Sequence, residues 1–457
     1  MTSHTLSAPR HELVETFRND GLDKVKVGGF DIDGVFRGKY ISIDKLGSAM
    51  DDGFGFCDVI FGWDSGDQLY DNVQVTGWHS GYPDLIAQID ASTFRKVPWE
   101  DDCPLFIVDF HKPGGEPFEV APRNVLKRTV ARAHQLGYEP LMSAEFEFWF
   151  FREDPESVRR KRYRDLQNLS PGMFGYSVLR ASAQSQLVAD IMRQMKAYDV
   201  ELEGFHTETG PGVFEAAIKY DTAVRAADKA ALFKTGLKEI ACRHGLMVTF
   251  MAKWSESLPG SSGHIHQSLV DLKTESNAFH DASHPLRMSE LFQHYTAGQL
   301  AAIGDLMPLV APTINSYKRT VPGTWAPTTA TWSVDNRTAA LRAIPGSPKS
   351  TRLEFRLAGA DINPYLAFAA CLAGGLYGIE QELALGPPLT GNAYENTDHP
   401  LPRTLEEATD RFRRSDVARA AFGDVFVDHF AATRDWEVRA YQKAVTDFEL
   451  ARYFEII

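Results

Sequence analysis

The most constraining feature of the sequence is a stretch in which acidic and aromatic residues alternate, from Ser143 to Phe150 (SAEFEFWF). Because the side chains of a β-strand point alternately to its two faces, Glu145 and Glu147 share one face and the phenylalanines share the other. Two carboxylates held side by side on a buried strand need a cation, a basic group or a shared proton to offset repulsion and desolvation. Hard oxygen ligands of this kind suit magnesium or manganese. An edge strand with a solvated acidic face is the alternative.

The length and charge of the chain narrow the kinds of protein that it can be. Its 457 residues are enough for two or three domains with a large interior. The formal net charge of -13 argues against a general surface for nucleic acid or for an anionic membrane, because a polyanion would be repelled. Any basic site that binds phosphate must therefore be local.

The sequence gives no sign of a membrane span, a targeting segment or a disulfide framework. No apolar run approaches the roughly 18 residues that a transmembrane helix needs, and Met1–His4 leads into polar sequence. The four cysteines are scattered without C-x-x-C spacing, which argues against structural disulfides and against a zinc site. We therefore expect a cytoplasmic protein.

The N-terminal part of the chain is rich in β-strand signals. Two β-rich runs between Val25 and Ser42 are separated by Asp33-Gly34, which predicts a hairpin. Residues 51–82 follow as an aromatic, glycine-rich region with little periodicity, where the aromatic side chains either form a small apolar cluster under a loop or contact a substrate or another subunit. We assign residues 1–20 to an N-terminal extension, residues 21–112 to a small β-rich domain and residues 113–457 to a catalytic domain.

Periodicity and glycine stops predict the main elements of the larger domain. Helices that alternate with β-rich acidic strands indicate an α+β fold. The predicted helices are Pro122–Leu136, Ala183–Tyr198 and Thr222–His244, and the predicted strands, besides the acidic one, are Leu105–Phe110 and Leu246–Lys253.

Further motifs place charged groups at short spacings. A Gly-Pro-Gly turn lies between Glu208 and Glu215 and can bring both carboxylates toward one point. A glycine- and serine-rich loop from Gly260 leads into a strand whose alternation puts His264 and His266 on one face, either as ligands or as an ordinary polar face.

The segment from Asn315 to Arg356 concentrates positive charge in an otherwise acidic chain. Guanidinium groups match the geometry of carboxylates and phosphates and stabilise charge on a phosphoryl group in transfer. A solvated basic face is the alternative. The basic residues of this segment, which surround Glu354, are Lys318, Arg319, Arg337, Arg342, Lys349, Arg352 and Arg356.

Taken together and in this order, these motifs resemble the type I glutamine synthetase family over nearly the whole chain. The motifs are E-F-E, E-x-G-P-G-x-x-E, G-S-S-G-H-I-H-Q-S, N-S-Y-K-R-x-V-P-G, N-R-x-x-x-x-R and R-L-E-F-R followed by N-P-Y-L. The resemblance implies a small N-terminal β-grasp domain and a catalytic domain with a curved antiparallel sheet flanked by helices. It also implies a homo-oligomer, a dodecamer of two stacked hexameric rings, in which the neighbour's loop around Asp64 completes each site.

The resemblance assigns two sets of metal ligands. Glu147, Glu208 and Glu215 match the ligands of the metal nearer glutamate, and Glu145, His264 and Glu354 match those of the metal on the ATP phosphates. Two or three magnesium or manganese ions per site are implied.

The resemblance also assigns substrate roles. Such enzymes form γ-glutamyl phosphate from ATP and glutamate and then let an amine displace phosphate, a reaction that suits two cations and several guanidinium groups. The implied glutamate-side residues are Arg319, Arg356, Gly260 and Tyr176, the phosphoryl-transfer residues are Arg337, Arg342 and Arg352, and the nucleotide-side residues are His266, Ser268, Tyr220 and Lys349.

One departure from the family bears on the second substrate. Where the ammonia-using members read Tyr-Glu-Ala-Pro after V-P-G, this chain reads Thr-Trp-Ala-Pro, so that Trp325 replaces the glutamate that binds and deprotonates ammonium. Val213 likewise replaces a glutamine. An indole offers an apolar face to a carbon-bearing amine, unless Trp325 merely packs and an acid such as Asp64 or Asp67 substitutes.

We therefore expect an ATP-dependent ligase that joins glutamate to an alkyl or aryl amine. An ordinary glutamine synthetase and a non-catalytic structural relative are the alternatives. The identity of the amine, the general base and the choice of metal stay open. Tyr394 falls near the position where some relatives carry a nucleotidylated tyrosine, but its flanking sequence matches poorly, and we favour a plain surface loop there.

Overall fold

Two β-sheets organise the structure, a computed structural model that describes residues 10–457. The start of the chain at Met1–His4, where the sequence predicts no signal peptide, lies outside the described residues. The strands of the first sheet are β1 (Lys24–Phe30), β2 (Phe36–Ser42), β3 (Phe54–Cys57), β4 (Asp84–Ile89), β5 (Arg95–Val97) and β6 (Cys103–His111). The strands of the second sheet are β7 (Tyr138–Phe151), β8 (Leu202–Thr207), β9 (Val213–Ile218), β10 (Asp221–Thr222), β11 (Met247–Thr249), β12 (Gly263–Asp271), β13 (Trp332–Val334), β14 (Leu341–Ile344) and β15 (Arg352–Phe355).

Helices flank both sheets. Among residues 10–457, none of them is both long enough and apolar enough to cross a membrane. The helices are α1 (Arg10–Asn19), α2 (Ile43–Asp52), α3 (Pro122–Gln135), α4 (Pro155–Arg160), α5 (Val178–Ser182), α6 (Ser185–Ala197), α7 (Ala223–Arg243), α8 (Glu290–Ala302), α9 (Pro364–Glu380), α10 (Leu405–Arg414), α11 (Asp416–Phe422), α12 (Asp424–Lys443) and α13 (Asp447–Tyr453).

The first sheet has the strand order β2-β1-β6-β4-β3, with β5 paired to β6. β1 and β2 form the predicted hairpin, in which Phe30 lies opposite Phe36. In the turn, Gly34 adopts a left-handed φ of 79°, and the Asp31 carboxylate accepts a hydrogen bond from the Val35 backbone N–H at 2.9 Å. The Asp-Gly signal in the sequence therefore marks the turn correctly.

Helix α1 lies within the stretch that we assigned to an N-terminal extension. Leu13, Val14 and Phe17 are buried in the main core, and the Phe17 ring lies 5.4 Å from that of Phe94. This helix is therefore anchored to the rest of the molecule by apolar contacts.

The region of residues 51–82 is more regular than the sequence predicts. Phe54–Cys57 forms β3, paired with β4, and Phe56 and Phe61 belong to the main core. The Phe61 ring meets the Phe110 ring edge-on at 5.3 Å. A four-residue strand is too short for its alternation to be recognised in sequence, so the prediction of a region without regular structure is wrong here.

The second sheet has the order β13-β14-β15-β12-β7-β9-β8, with β10 and β11 also paired to β7. All its strand pairs are antiparallel except β13 with β14. The apolar face of β7 is fully buried at Phe146, Phe148 and Phe150, and the Phe148 ring contacts Phe233 of α7. The opposite face of β7 carries the acidic residues, as the alternation predicts.

The strand predicted at Leu246–Lys253 is shorter in the structure, where β11 ends at Thr249. Beyond that point the backbone bonds to side chains and to the Ser261 backbone N–H of the following loop instead of to a neighbouring strand. The Lys253 N–H donates to the Asn315 side chain at 2.8 Å, and the Met251 N–H donates to the Thr249 hydroxyl.

A buried ion-pair network joins helices α3 and α7 to the first sheet. Arg123, in the first turn of α3, donates to Asp228 on α7 at 2.8 Å, to Asp109 on β6 at 2.7 Å and to Asp90 after β4 at 2.9 Å. One guanidinium group therefore fixes α3 and α7 to the first sheet.

Candidate active site

A cavity of about 1490 Å³ opens over the acidic face of the second sheet. Its volume exceeds the 300–1,000 Å³ or so of an ordinary small-molecule site, which leaves room for more than one substrate. Its lining includes every site residue that the sequence singled out except Asp64. These residues are Glu145, Glu147, Tyr176, Glu208, Glu215, Tyr220, Gly260, His264, His266, Ser268, Arg319, Trp325, Arg337, Arg342, Lys349, Arg352, Glu354 and Arg356.

Three adjacent strands bring the acidic residues together. In the pairing of β7 with β9, Glu147 lies opposite Glu215, and in the pairing of β7 with β12, Glu145 lies opposite His264. The Glu147 carboxylate accepts a hydrogen bond from the Ser262 backbone N–H at 2.7 Å, which fixes its orientation. Strand register, not sequence proximity, therefore assembles this cluster.

The end of β8 adds a histidine that the sequence analysis did not single out, and the turn that follows adds Glu208. His206 Nε2 lies 3.1 Å from Glu208 Oε1 and 3.4 Å from Glu215 Oε1, and its ring stacks on Tyr176 at 4.4 Å. The H-T-E spacing of residues 206–208 was the available signal, because alternate residues share a strand face.

The acidic cluster carries strongly perturbed pKa values. Burial, together with the neighbouring Glu145 carboxylate, raises the pKa of Glu215 to about 11. Burial alone would raise the pKa of Glu145, but hydrogen bonds with His266 and Glu215 lower it well below its usual range. Ligand atoms of the Glu145 and Glu215 carboxyl groups lie within 4.8 Å of each other, so the two groups can share a proton.

The donor atoms fit a hard divalent cation. Ligand atoms of Glu145, Glu215 and His264 lie within 4.8 Å of one another, and so do those of His206, Glu208 and Glu215. His264 Nε2 is buried and has no hydrogen-bond partner among the described residues. Carboxylate oxygens with one neutral imidazole suit magnesium or manganese.

Glu354 is held by guanidinium groups. Arg342 donates to one of its oxygens at 2.9 Å, Arg356 donates to the other, and His264 Nδ1 lies 3.4 Å away. Burial alone would raise the pKa of Glu354, but the nearby His264, Arg356 and Arg342 together lower it to about 2. This carboxylate therefore stays ionised between β12 and β14.

Arg319 and Arg356 form a buried pair at one end of the cavity. Arg319 donates to the backbone oxygens of Leu357 and Arg356 at 2.9 and 3.3 Å. A Cβ atom on Gly260 would come within 2.7 Å of the Arg319 side chain, so only glycine permits this approach.

The residues predicted on the nucleotide side extend along β12 away from this end. His266 Nε2 lies 2.9 Å from Glu145, and Arg352 donates to His266 Nδ1 at 3.2 Å. Ser268 lies four residues beyond His264, which is about 13 Å along a strand. Tyr220 and Lys349 are exposed and also line the cavity. Because the lining extends along β12, the two ends of the cavity can differ in chemistry.

Trp325 borders the end of the cavity that contains Arg319. Its indole is 62% exposed, and its backbone adopts a left-handed φ of 61°. The Thr324 hydroxyl donates to the backbone oxygens of Arg319 and Val321, which ties this loop to the arginine segment. Such a backbone conformation is strained for a bulky residue by about 1–3 kcal/mol.

Asp64 and Asp67 do not line the cavity of this chain, within the part that the structure describes. Asp64 accepts a hydrogen bond from the Trp436 indole at 3.0 Å, and Asp67 forms an ion pair with Arg37 at 2.9 Å. Neither acid therefore substitutes for the missing glutamate within one subunit. A role for Asp64 in a neighbouring subunit stays a prediction.

The interpretation of Tyr394 as part of a plain surface loop is wrong for its side chain. Its hydroxyl is buried and has no hydrogen-bond partner among residues 10–457. Burial raises the pKa of this hydroxyl, and the nearby Arg356 and Arg319 offset part of that rise. Tyr394 therefore points toward the arginine pair and not toward solvent.

The fold and these motifs agree with one family. The profile of the glutamine synthetase catalytic domain matches residues 119–453, and the chain belongs to the glutamine synthetase family. It is therefore a ligase of a family that uses ATP and divalent metal ions.

Known relatives span nearly the whole chain. A type-1 glutamine synthetase of Dictyostelium discoideum is 49% identical over 438 residues, which cover 95% of this chain and 84% of that protein. A glutamate–isopropylamine ligase of Pseudomonas sp is 40% identical and covers 95% and 96%. A γ-glutamylethanolamide synthetase of Streptomyces coelicolor is 38% identical and covers 95% and 93%. The solved ADP complex of GmaS matches with a TM-score of 0.85 at 27% identity over 97% of this chain and 99% of that one.

Proposed function

We propose that this protein joins the γ-carboxylate of glutamate to a carbon-bearing amine, with ATP as the energy source. In the first step a carboxylate oxygen attacks the γ-phosphorus of ATP and ADP leaves. In the second step the amine nitrogen attacks the acyl carbon, inorganic phosphate leaves, and the nitrogen loses its proton. The observation that carries the proposal is Trp325 at the edge of the cavity.

The charges around Trp325 favour an acceptor with an apolar part. The acidic residues of the lining that lie outside the predicted metal sets are Glu203 and Glu275. Glu203 is at the far end of β8 from His206, and Glu275 follows β12, so both lie away from Trp325. An ammonium ion at this end would lack the carboxylate that its charge requires, whereas an alkyl or aryl group gains contact with the indole.

The arginine residues suit the first half-reaction. Arg319 and Arg356 would hold the glutamate substrate, and Arg337, Arg342 and Arg352 would stabilise charge on the transferring phosphoryl group. Divalent ions, when bound to the carboxylate cluster, would neutralise phosphate oxygens. Exclusion of water by the buried arginine pair would protect the acyl phosphate from hydrolysis.

Two relatives whose names describe amine ligases, at 40% and 38% identity, support this proposal. The relative named as a glutamine synthetase, at 49% identity, supports a second candidate, in which ammonium is the acceptor. Because these relatives point in different directions, the acceptor must be decided by experiment.

The experiment is phosphate release from ATP with glutamate and magnesium, measured with a panel of acceptors. The panel contains ammonium, methylamine, isopropylamine, ethanolamine, putrescine and aniline. We expect a carbon-bearing monoamine to give the highest kcat/KM. Ammonium with the highest value would establish the second candidate, and an absence of turnover with every acceptor would favour a non-catalytic relative.

A further inference from the structure

The segment that carries Tyr394 lies alongside the segment that leads from Trp325 to the phosphoryl-side arginines. Backbone and side-chain hydrogen bonds join residues 389–401 to residues 328–338 at six points among the described residues. These bonds are Leu389 N–H to Trp332 O (2.9 Å), Ser333 Oγ to Leu389 O (2.6 Å), Asn336 Nδ2 to Gly391 O (2.8 Å), Ala393 N–H to Thr338 Oγ1 (3.0 Å), Ala330 N–H to His399 O (2.9 Å) and Leu401 N–H to Thr328 O (3.1 Å). The two segments therefore form one unit.

Tyr394 is held rigidly within this unit. It lies in the short 3₁₀ turn Ala393–Glu395, and the Asn392 side chain caps the turn by accepting from the Tyr394 N–H at 3.1 Å. Since the backbone is fixed on both sides, the phenol can move only by rotation about its own side-chain bonds.

Among the described residues, the buried Tyr394 hydroxyl has no partner at normal hydrogen-bond geometry. The nearby Trp325 backbone lowers the pKa of this hydroxyl, which places the Trp325 N–H on the same side as the hydroxyl. A buried polar group without a partner destabilises the folded protein, and such groups in native structures call for an explanation. Hydrogen bonds at catalytic sites are often long in the absence of substrate and tighten when it binds.

The loop that holds Trp325 is the adaptable side of this pair. Trp325 has a strained backbone and an exposed indole, whereas Tyr394 lies on the fixed unit. A shift of this loop toward Tyr394 would complete the bond. Tyr394 is not among the described residues that line the cavity, so its action on substrate would be indirect.

We infer that Tyr394 is a positioning residue, whose hydroxyl accepts a hydrogen bond from the Trp325 N–H in the substrate-bound enzyme and thereby sets the indole against the acceptor. This inference rests on the proposed function only in taking Trp325 as the border of the acceptor site. The inference gives Tyr394 a role in acceptor binding and not in nucleotidylation, because the Tyr394 hydroxyl is buried.

The test uses Tyr394→Phe in the full-length protein, with Tyr317→Phe as the matched control. The Tyr317 hydroxyl is also buried and has no hydrogen-bond partner in the part of the chain that the structure describes, but the charged groups near it are those of Asp361 and Arg434. We expect Tyr394→Phe to raise the KM of the acceptor roughly three- to tenfold, the range that loss of one hydrogen bond gives. The KM of ATP should not rise. The melting temperature of the substrate-free variant should not fall, since the bond between Tyr394 and Trp325 is absent in the substrate-free protein. Tyr317→Phe should change neither KM.

A second readout is hydrogen–deuterium exchange in the peptide that covers residues 320–328. With a non-hydrolysable ATP analogue, glutamate and magnesium, this peptide should become protected in the wild-type protein and less so in Tyr394→Phe. Unchanged acceptor KM and unchanged protection in the variant would overturn the inference. A lower melting temperature without substrates would overturn it too, by showing a bond that exists before binding. Kinetics are read with whichever acceptor turns over best, so a preference for ammonium would refute the proposed function and leave this test intact.

Discussion

At position 325 an indole borders the cavity where the ammonia-using members of the family have a glutamate. The side chain is exposed to the cavity, and the acids weighed as substitutes, Asp64 and Asp67, lie elsewhere in the same chain. The side chain at position 325 therefore distinguishes the two candidate acceptors: an apolar group favours a carbon-bearing amine, and an ionised carboxylate favours ammonium.

Replacement of Trp325 tests directly whether this side chain determines the choice between ammonium and a carbon-bearing amine. Trp325→Glu should raise the ratio of kcat/KM for ammonium to that for isopropylamine by about tenfold or more, because the carboxylate balances the ammonium charge and the apolar contact is lost. Trp325→Gln is the control, since it removes the indole without adding charge. If both variants shift the ratio equally, charge is not the deciding property.

The carboxylate cluster supports a prediction about metal binding. Magnesium or manganese should raise the melting temperature of the wild-type protein, because an ion that binds only the folded state stabilises it, by about 2.7 kcal/mol at a hundred times its dissociation constant. Glu215→Gln should reduce this metal-dependent gain, because Glu215 belongs to both candidate ligand groups. Glu203→Gln, which removes an acid elsewhere in the cavity lining, should keep it; equal gains in all three proteins would contradict the assignment.

At the residue scale, the sequence could predict which face a side chain occupies but not which neighbour it meets. Alternation correctly put Glu145 and Glu147 on the polar face of β7. The contact of His206 with Glu215 depends on the register of β8 with β9, and the inward turn of Tyr394 depends on hydrogen bonds to a segment about 60 residues earlier in the chain. No local pattern encodes either of these.

At the element scale, the Arg123 network determines how α3, α7 and the first sheet are held together. Arg123→Met should destabilise the protein by about 3–5 kcal/mol, because it leaves buried aspartates without their cation. Arg132→Met on the same helix removes only the partly exposed pair with Glu380 and should cost about 1 kcal/mol or less. Urea unfolding of both variants measures the difference, and similar losses would contradict the importance of burial.

The same network predicts a dependence on pH. Burial alone would raise the pKa of Asp90, but Arg123, Ser92 and Lys127 together lower it to about 2 from an ordinary 3.8. A lowered pKa in the folded state means that this contribution is present above pH 4 and is lost as the pH falls toward 2. The stability of Arg123→Met should therefore fall less steeply than that of the wild type between about pH 4 and pH 2. Parallel curves would contradict this reading.

Long elements could be predicted from sequence, and short ones could not. The helix predicted at Pro122–Leu136 is present as α3 (Pro122–Gln135), since its periodicity extends over several turns and a glycine ends it. By contrast, β3 has four residues and β11 has three, and both exist because longer strands offer them partners. Tertiary pairing, not local preference, determines such strands.

At the scale of the whole molecule, the predicted oligomer leads to a test of the position of Asp64. Sedimentation should give twelve times the mass of the single chain. If the neighbour's Asp64 completes each site, co-expression of Asp64→Ala with Glu215→Gln should restore about a quarter of the sites, since chance assembly pairs the two intact residues that often. Activity no greater than that of the separate variants would show that Asp64 does not act across subunits.

The family and the order of its elements could be predicted from the sequence because six motifs with fixed chemistry occur in one order. The identity of the acceptor could not be predicted in the same way, because it depends on Trp325 and on the surroundings that several distant segments build around this residue. Trp325, the Tyr394 segment and the arginine pair come together only in the folded chain.

The most direct test of the central claim is a competition in one reaction vessel. The enzyme receives ATP, glutamate and magnesium with equal concentrations of ammonium, isopropylamine, ethanolamine and aniline, and mass spectrometry measures the ratio of the products, which equals the ratio of kcat/KM multiplied by the concentrations. We predict that the γ-glutamylamide of a carbon-bearing amine exceeds glutamine. Glutamine as the main product would contradict the account and make the protein an ordinary glutamine synthetase.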